Sequence, residues 1–474
     1  MTALSAAGLI SHFRNAISTS VSLIASGEIA PGEPKRPALQ DVLARPLNNR
    51  QCAVGWLLAC GVMVVLARLA GGVTRYDSWL AIGPGEALAH GQFSCMYPPG
   101  SGVVTPNAPG FPLVVAFFAT VLRVGHNTVF PSGFALGPHC DQALYAWNKW
   151  LVTVNAIRTL RFTAYLAWLV MLGGVVTLLR TTKRGGTVYE VVTCVIIAMV
   201  PAVSMTFTSY FHPEDLVAMG LCLWSFAQTR RQRWTLAGLG FAIAFVTQQY
   251  SVLVLIPVVL VAIPWPAIPR FAAGALGTLI VTLSPLAIAT SGRVLIDLDG
   301  RGSTSFIGNS WLDELNLPIH DTMVLSRGAP ILLATVLSLV VRYHLRGRRA
   351  PEDIVLYVIS SSLMLRIAFE VNVWGYFFMA FVVAIVVADA VAGRFRPVTF
   401  VWLILEFVYF NPYSFPRPLN LSQLPIWNPQ VILSSLGFLI SILPLLRWWR
   451  HDIPVALTIV DSTPSTSGRR VPSA

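Results

Sequence analysis

Long apolar runs, each near the length that crosses a bilayer, alternate with short polar turns along most of the chain. The pattern predicts twelve membrane-spanning helices, at residues 51–71, 161–180, 187–208, 213–229, 234–249, 250–264, 270–290, 329–344, 353–369, 373–392, 398–411 and 430–447. Several are short for a span, which implies tilt or local thinning of the bilayer. A further apolar run at 111–125 is assigned instead to a helix lying at the interface, for a reason that charge supplies. Residues 1–50 form a largely flexible polar segment whose apolar stretch, Val21 to Ala25, is too short to span, and no cleavable signal is evident. Residues 448–474 end in a Ser-, Thr-, Pro- and Arg-rich tail expected to be disordered. The organisation is thus 1–50, a transmembrane domain over 51–447, and 448–474.

Composition fits this pattern. Of 474 residues, 55% are hydrophobic and 11% charged, with a mean hydropathy of +0.66; a soluble domain would carry about a quarter charged residues. The expected class is an all-α polytopic membrane protein in contact with the lipid bilayer. The net charge of +12 calls for no nucleic acid, because its distribution explains it. With the N-terminus inside and twelve spans, 22 of the 33 Lys and Arg residues fall on the cytoplasmic side and nine outside, with Arg68 and Arg366 within spans. Counting 111–125 as a span would invert every later turn and place TRRQR and RYHLRGRR outside. The expected location is therefore a plasma membrane, with both termini cytoplasmic.

This topology leaves two large external loops, 72–160 and 291–328, of a size that is usually functional. Cys95 and Cys140 are the only cysteines outside, and there a disulfide between them and a pair of free thiols are equal alternatives. Cys52, Cys60, Cys194 and Cys222 lie in or beside spans and read as small apolar residues.

Ionisable residues gather at the outer ends of the spans. Asp77 follows the first; His212, Glu214 and Asp215 open the fourth; Gln248, Gln249 and Tyr250 lie between the fifth and sixth. Arg366 and Glu370 close the ninth, and Arg158 and Arg161 precede the second. Each also has a plain structural reading. His-Pro-Glu-Asp is a good helix start, the glutamines would satisfy a helix end, the two arginines would anchor headgroups, and Arg366 and Glu370 would form an (i, i+4) pair. Taken together they describe an external pocket that suits a phosphate-bearing substrate and a group that must lose a proton. Glu406, alone in mid-span, reads as a buried hydrogen-bonded acid.

These residues resemble the GT-C superfamily of integral membrane glycosyltransferases. Members place a catalytic Asp just after the first span, then a short juxtamembrane helix and often a Gly-to-Tyr-Pro ending; here that is Asp77, GEALAHG, and Gly91 to Tyr97-Pro98-Pro99. A proline-introduced second juxtamembrane helix matches APGFPLVVAFFATVL at 108–122. A second block, HPEDLVAMGL, TRRQRW, LAGLGFAIAF and VTQQYSVLVLIP, follows the family pattern except at Gln248, where Lys is common. WGYFFMAFVVAIVVAD at 374–389 resembles the late span with its aromatic start.

The resemblance implies an inverting glycosyltransferase. It would use a polyprenyl-phosphate sugar donor, mannose or arabinose in actinobacterial relatives, and a lipid or glycan acceptor of the cell envelope. Asp77 would act as base and Asp215 would orient the acceptor or the base, with His212, Glu214, Gln248, Tyr250, Arg366, Glu370, Tyr97 and Arg158 binding substrate. The loop 291–328 would cover the donor. No cofactor is required; a divalent metal held by Asp77 and Asp215, as some members recruit one, stays open. A transporter or flippase, or an inactive relative, remains the alternative, although no internal repeat is visible.

Overall fold

The computed structural model describes residues 39–69, 75–89, 91, 109–124, 154–208, 210–290, 292, 294, 312, 315, 317–346, 348–371, 375–410 and 429–452. The chain divides into a short N-terminal unit, residues 1–42, and a main unit from residue 43 onward, with the helical turn Leu39–Leu43 at the boundary. The main unit is helical, with no β-strand among the described residues.

Fifteen α-helices follow in chain order among the described residues of this unit. They are α1 (Asn49–Leu69), α2 (Arg75–Ala89), α3 (Gly110–Val124), α4 (Val154–Leu179), α5 (Val188–Met199), α6 (Pro201–Met205), α7 (Pro213–Arg230) and α8 (Trp234–Thr247). After them come α9 (Ser251–Pro257), α10 (Ile268–Ala289), α11 (Ile319–Leu345), α12 (Glu352–Ala368), α13 (Met379–Val391), α14 (Pro397–Phe410) and α15 (Pro429–Asp452). Each of the twelve apolar segments overlaps one of these helices, except 187–208, which breaks at the extended Val200 before Pro201 into α5 and α6. Five of them, within α1, α4, α10, α11 and α15, are long and apolar enough to cross a membrane. The protein is an all-α polytopic membrane protein. Both short helices expected between residues 72 and 160 are present, as α2 and α3.

Local chemistry sets several boundaries. Asn48 and Gln51 bond reciprocally, each side-chain oxygen accepting from the other's backbone N–H at 2.9 Å, so α1 starts at a capping box. Beyond Pro257, α9 runs into a π-turn, Val258–Ala262. Carbonyls released there, at Leu260 and Ile263, accept from the Arg342 guanidinium of α11 at 3.2 and 3.1 Å. That guanidinium also lies over the Trp265 ring.

Helix pairing rests on small residues, since lipid offers no hydrophobic drive between apolar helices. Gly174 of α4 and Gly220 of α7 face each other so closely that a Cβ on Gly174 would stand 2.2 Å from the Gly220 carbonyl oxygen. Gly238 of α8 and Gly274 of α10 make a second seam of the same kind. The chief packed pairs are α4 with α7, α7 with α8, α8 with α10, α1 with α5, α2 with α3, and α12 with both α13 and α15.

Three sequence expectations change. The span foreseen at 329–344 is a 27-residue helix that begins at Ile319, so residues 319–328 belong to α11 and not to an external loop. Pro318 before the helix and Asp321 in its first turn are the start signals. The tail expected from 448 is helical as far as Asp452, because the apolar face of α15 continues through Trp448 and Trp449. Glu406 is fully buried as expected, but it faces the backbone of Ala202 without a hydrogen bond of normal geometry among the described residues.

Candidate functional site

The start of α7, the end of α8, the start of α9, the end of α12 and the turn before α13 meet at one end of the bundle. His212 is the N-cap of α7, with Pro213 at the first helical position. Phe211, fully buried, holds φ 36°, in the left-handed region that a bulky residue rarely adopts. Such strain costs about 1–3 kcal/mol and persists where surrounding packing fixes it. Here it turns the chain so that the His212 N–H bonds the Thr206 carbonyl at 2.9 Å, directly before the helix begins.

The first turn of α7 carries the acids. Glu214, wholly buried, lies 2.7 Å from His212 Nδ1, a contact that holds the ring with its Nδ1 proton toward the carboxylate. His212 stacks on Tyr376 with centroids 4.2 Å apart and planes 14° from parallel. Tyr210 leans on the same ring. Asp215 is 5% exposed. Its carboxylate has His212, Glu214, Arg366 and Gln248 near enough to act on it electrostatically. The Tyr250 hydroxyl donates to the Asp215 carbonyl at 2.7 Å, which ties the start of α9 to α7.

Arg366 closes the site from α12. Its guanidinium lies over the Tyr250 and Phe377 rings, 5.3 and 5.0 Å from their centroids. Nε is 3.6 Å from Glu370, and the same Glu370 oxygen lies 3.3 Å from Arg327 of α11. One carboxylate thus bridges two arginines from different helices. The expected Arg366–Glu370 pair forms, and Arg327 joins it. A buried carboxylate beside guanidinium groups gives the site a group that can accept a proton and cations that can hold an anionic oxygen.

The structure brings His212, Glu214, Asp215, Gln248, Tyr250, Arg366 and Glu370 together. Asp77 lies on the backbone of α2 and Arg158 on that of α4, and their side chains fall outside the described residues, as do Tyr97, Cys95 and Cys140 entirely. The helix of Asp77 is nevertheless anchored. Gly85 of α2 sits against Pro112 and Val115 of α3. Gly110, at the head of α3, abuts the Val246 carbonyl and Thr247, one residue before Gln248. Among the described residues no three His, Cys, Asp or Glu side chains are grouped to hold a metal ion; the Asp77–Asp215 pair lies outside that statement, as the Asp77 side chain does.

Sequence reasoning missed Arg327, Tyr210, Tyr376 and Phe377. Arg327 was assigned to a loop because His320, Asp321 and Arg327 lower the apolar mean of the first turns of α11. The aromatic residues carry no charge and merge with the spans they adjoin.

An all-α bundle of apolar helices with a buried acid–arginine cluster at one end defines an integral membrane protein with a polar site at the rim of its helices. Residues 144–368 match the model of glycosyltransferase family 87, a family of GT-C-type membrane glycosyltransferases. Over this stretch, a little under half of its length, the chain is similar to that family, and the protein is a membrane glycosyltransferase. The matched region holds every clustered residue from Tyr210 to Arg366, while Asp77, Glu370 and Tyr376 lie beyond it. Among curated proteins none matches the chain.

Proposed function

We propose that the protein transfers a sugar, mannose or arabinose, from a polyprenyl-phosphate donor to a glycan or glycolipid of the cell envelope. Transfer takes place at the outer face of the membrane and inverts the anomeric centre. The observation that carries this reading is the Asp215–Gln248–Arg366 group: a buried acid facing a guanidinium within the family-matched region. Arg366, steadied by Glu370 and two aromatic faces, holds the donor phosphate and stabilises the charge on it as the glycosidic bond breaks. Asp77 accepts the proton of the attacking acceptor hydroxyl. Support for that role comes from the resemblance, and from the contact of α2 and α3 with the Thr247 end of α8. Asp215, with His212 and Glu214, orients the acceptor.

The test uses membranes holding the wild type, Asp77→Asn or Asp215→Asn, supplied with radiolabelled polyprenyl-phosphate mannose or arabinose and a glycolipid acceptor. Asp77→Asn should lower transfer by about a hundredfold or more, as loss of a general base does, and Asp215→Asn, which removes an orienting group, by at least about tenfold. Undiminished transfer by Asp77→Asn would remove its role as base, and no transfer from either donor by the wild type would overturn the donor assignment.

A further inference from the structure

The opposite end of the bundle contains a cavity of about 520 Å3, formed where the start of α12, the turn after α13 and the end of α15 meet. The volume lies within the range of small-ligand sites. Asp353 and Tyr357 line it from α12, Arg394 from the turn, and Pro444, Arg447 and Trp448 from α15. None of these residues belongs to the site around Asp215.

The charge in this cavity is unbalanced. Arg394 and Arg447 are exposed, and neither forms an ion pair among the described residues. The acid on the wall, Asp353, sits in the first turn of its own helix, where a carboxylate complements the positive helix end, and Arg394 lies near enough to act on it. Two guanidinium groups against one carboxylate leave the cavity net positive. The floor is rigid. Tyr357 donates to Asp389 at 2.9 Å, and the same buried carboxylate accepts from Arg396 Nε and the Thr399 hydroxyl, each at 2.7 Å.

On α15, the helix of Arg447 and Trp448, Leu439, Leu443 and Leu446 are exposed on the bundle surface. Tryptophan beside arginine, at the end of an apolar helix, is the pattern of a membrane interface. Basic pockets between helices at that level suit anionic headgroups, and the leucines supply a track for acyl chains.

We propose that this cavity binds the phosphodiester of an anionic phospholipid, with Arg394 and Arg447 on the phosphate oxygens and the acyl chains along the leucines of α15. The inference is independent of the transferase reading. A free phosphate offers the same oxygens without the chains, and this separates the two sources.

The experiment takes purified full-length protein in detergent and measures lipid retention by native mass spectrometry. Dioleoylphosphatidylglycerol, dioleoylphosphatidylcholine and inorganic phosphate are the three probes. The wild type should retain the glycerol lipid several-fold better than the choline lipid, and millimolar inorganic phosphate should not displace it. Arg394→Gln with Arg447→Gln should cut retention of the glycerol lipid by about tenfold or more, at roughly fivefold per basic residue. Arg447→Lys, which keeps the charge and tests for a folding defect, should keep most of it. Equal retention by the double variant, or equal retention of the two lipids by the wild type, overturns the proposal. Displacement of the lipid by inorganic phosphate overturns the lipid as ligand and leaves a free-anion site.

Discussion

Gln248 illustrates what one residue does at this site. Relatives suggested by the resemblance often carry Lys there; here a neutral amide stands beside Asp215, where it can donate to the carboxylate. A hydrogen bond to a charged group contributes about 1.5–3 kcal/mol. Gln248→Ala should therefore lower kcat/KM for sugar transfer by roughly tenfold to a hundredfold, read in steady-state assays in proteoliposomes. Tyr376 supports His212 by stacking. Tyr376→Phe should keep most activity, whereas Tyr376→Ala should lower it by about tenfold as the imidazole loses its platform. Equal losses in both variants would show that the hydroxyl matters. The acids, His212, Gln248 and Arg366 were legible in the sequence because charge at the end of an apolar run is costly and conspicuous. Tyr376 and Phe377 were not, since an aromatic ring reads the same in a core as in a site.

Helices are placed here by close backbone approach, and the substitutions that matter are additions. A side chain at Gly220 would meet the Met171 backbone at 2.6 Å, and no rotamer change relieves contact with backbone. Gly220→Leu should lower the thermal unfolding midpoint of the detergent-solubilised protein by several degrees, the overpacking costing about 1–3 kcal/mol or more. Gly110→Val has a different signature. It would push the head of α3 away from Thr247 and with it the α2 helix that carries Asp77. Transfer should fall by at least about tenfold with a small change in unfolding midpoint, measured on the same preparation. Periodicity made the existence of these helices legible. Their ends were less so: α11 starts ten residues earlier than its apolar window because Asp321 and Arg327 mask a start that Pro318 marks.

At the scale of the molecule, the two ends of the bundle hold buried charge for different purposes. Away from the Asp215 end, two fully buried carboxylates tie turns together. Glu190 takes bonds from Trp56, Arg180 and the Gly186 N–H, and Asp389 from Tyr357, Arg396 and Thr399. Arg396 also donates to the Ile440 carbonyl at 2.7 Å, which joins the α13–α14 turn to α15. Removing one partner of a buried pair costs about 3–5 kcal/mol, while replacing both with apolar groups is often neutral. Asp389→Leu should lower the unfolding midpoint markedly, and Asp389→Leu with Arg396→Met should recover much of the loss, as followed by differential scanning fluorimetry. None of this network was foreseen, because Asp389 looked like the end of a span and its partners lie far away in sequence.

One helix differs from the others in how it is held. α11 is joined by Arg327 to Glu370 near its start and by Arg342 to the π-turn carbonyls near its end, while α4, α7, α8 and α10 are locked through glycine seams. Polar contacts of partly exposed arginines weaken with ionic strength, whereas close steric contact does not. Deuterium uptake should therefore separate the molecule into a salt-indifferent block and one salt-responsive rod.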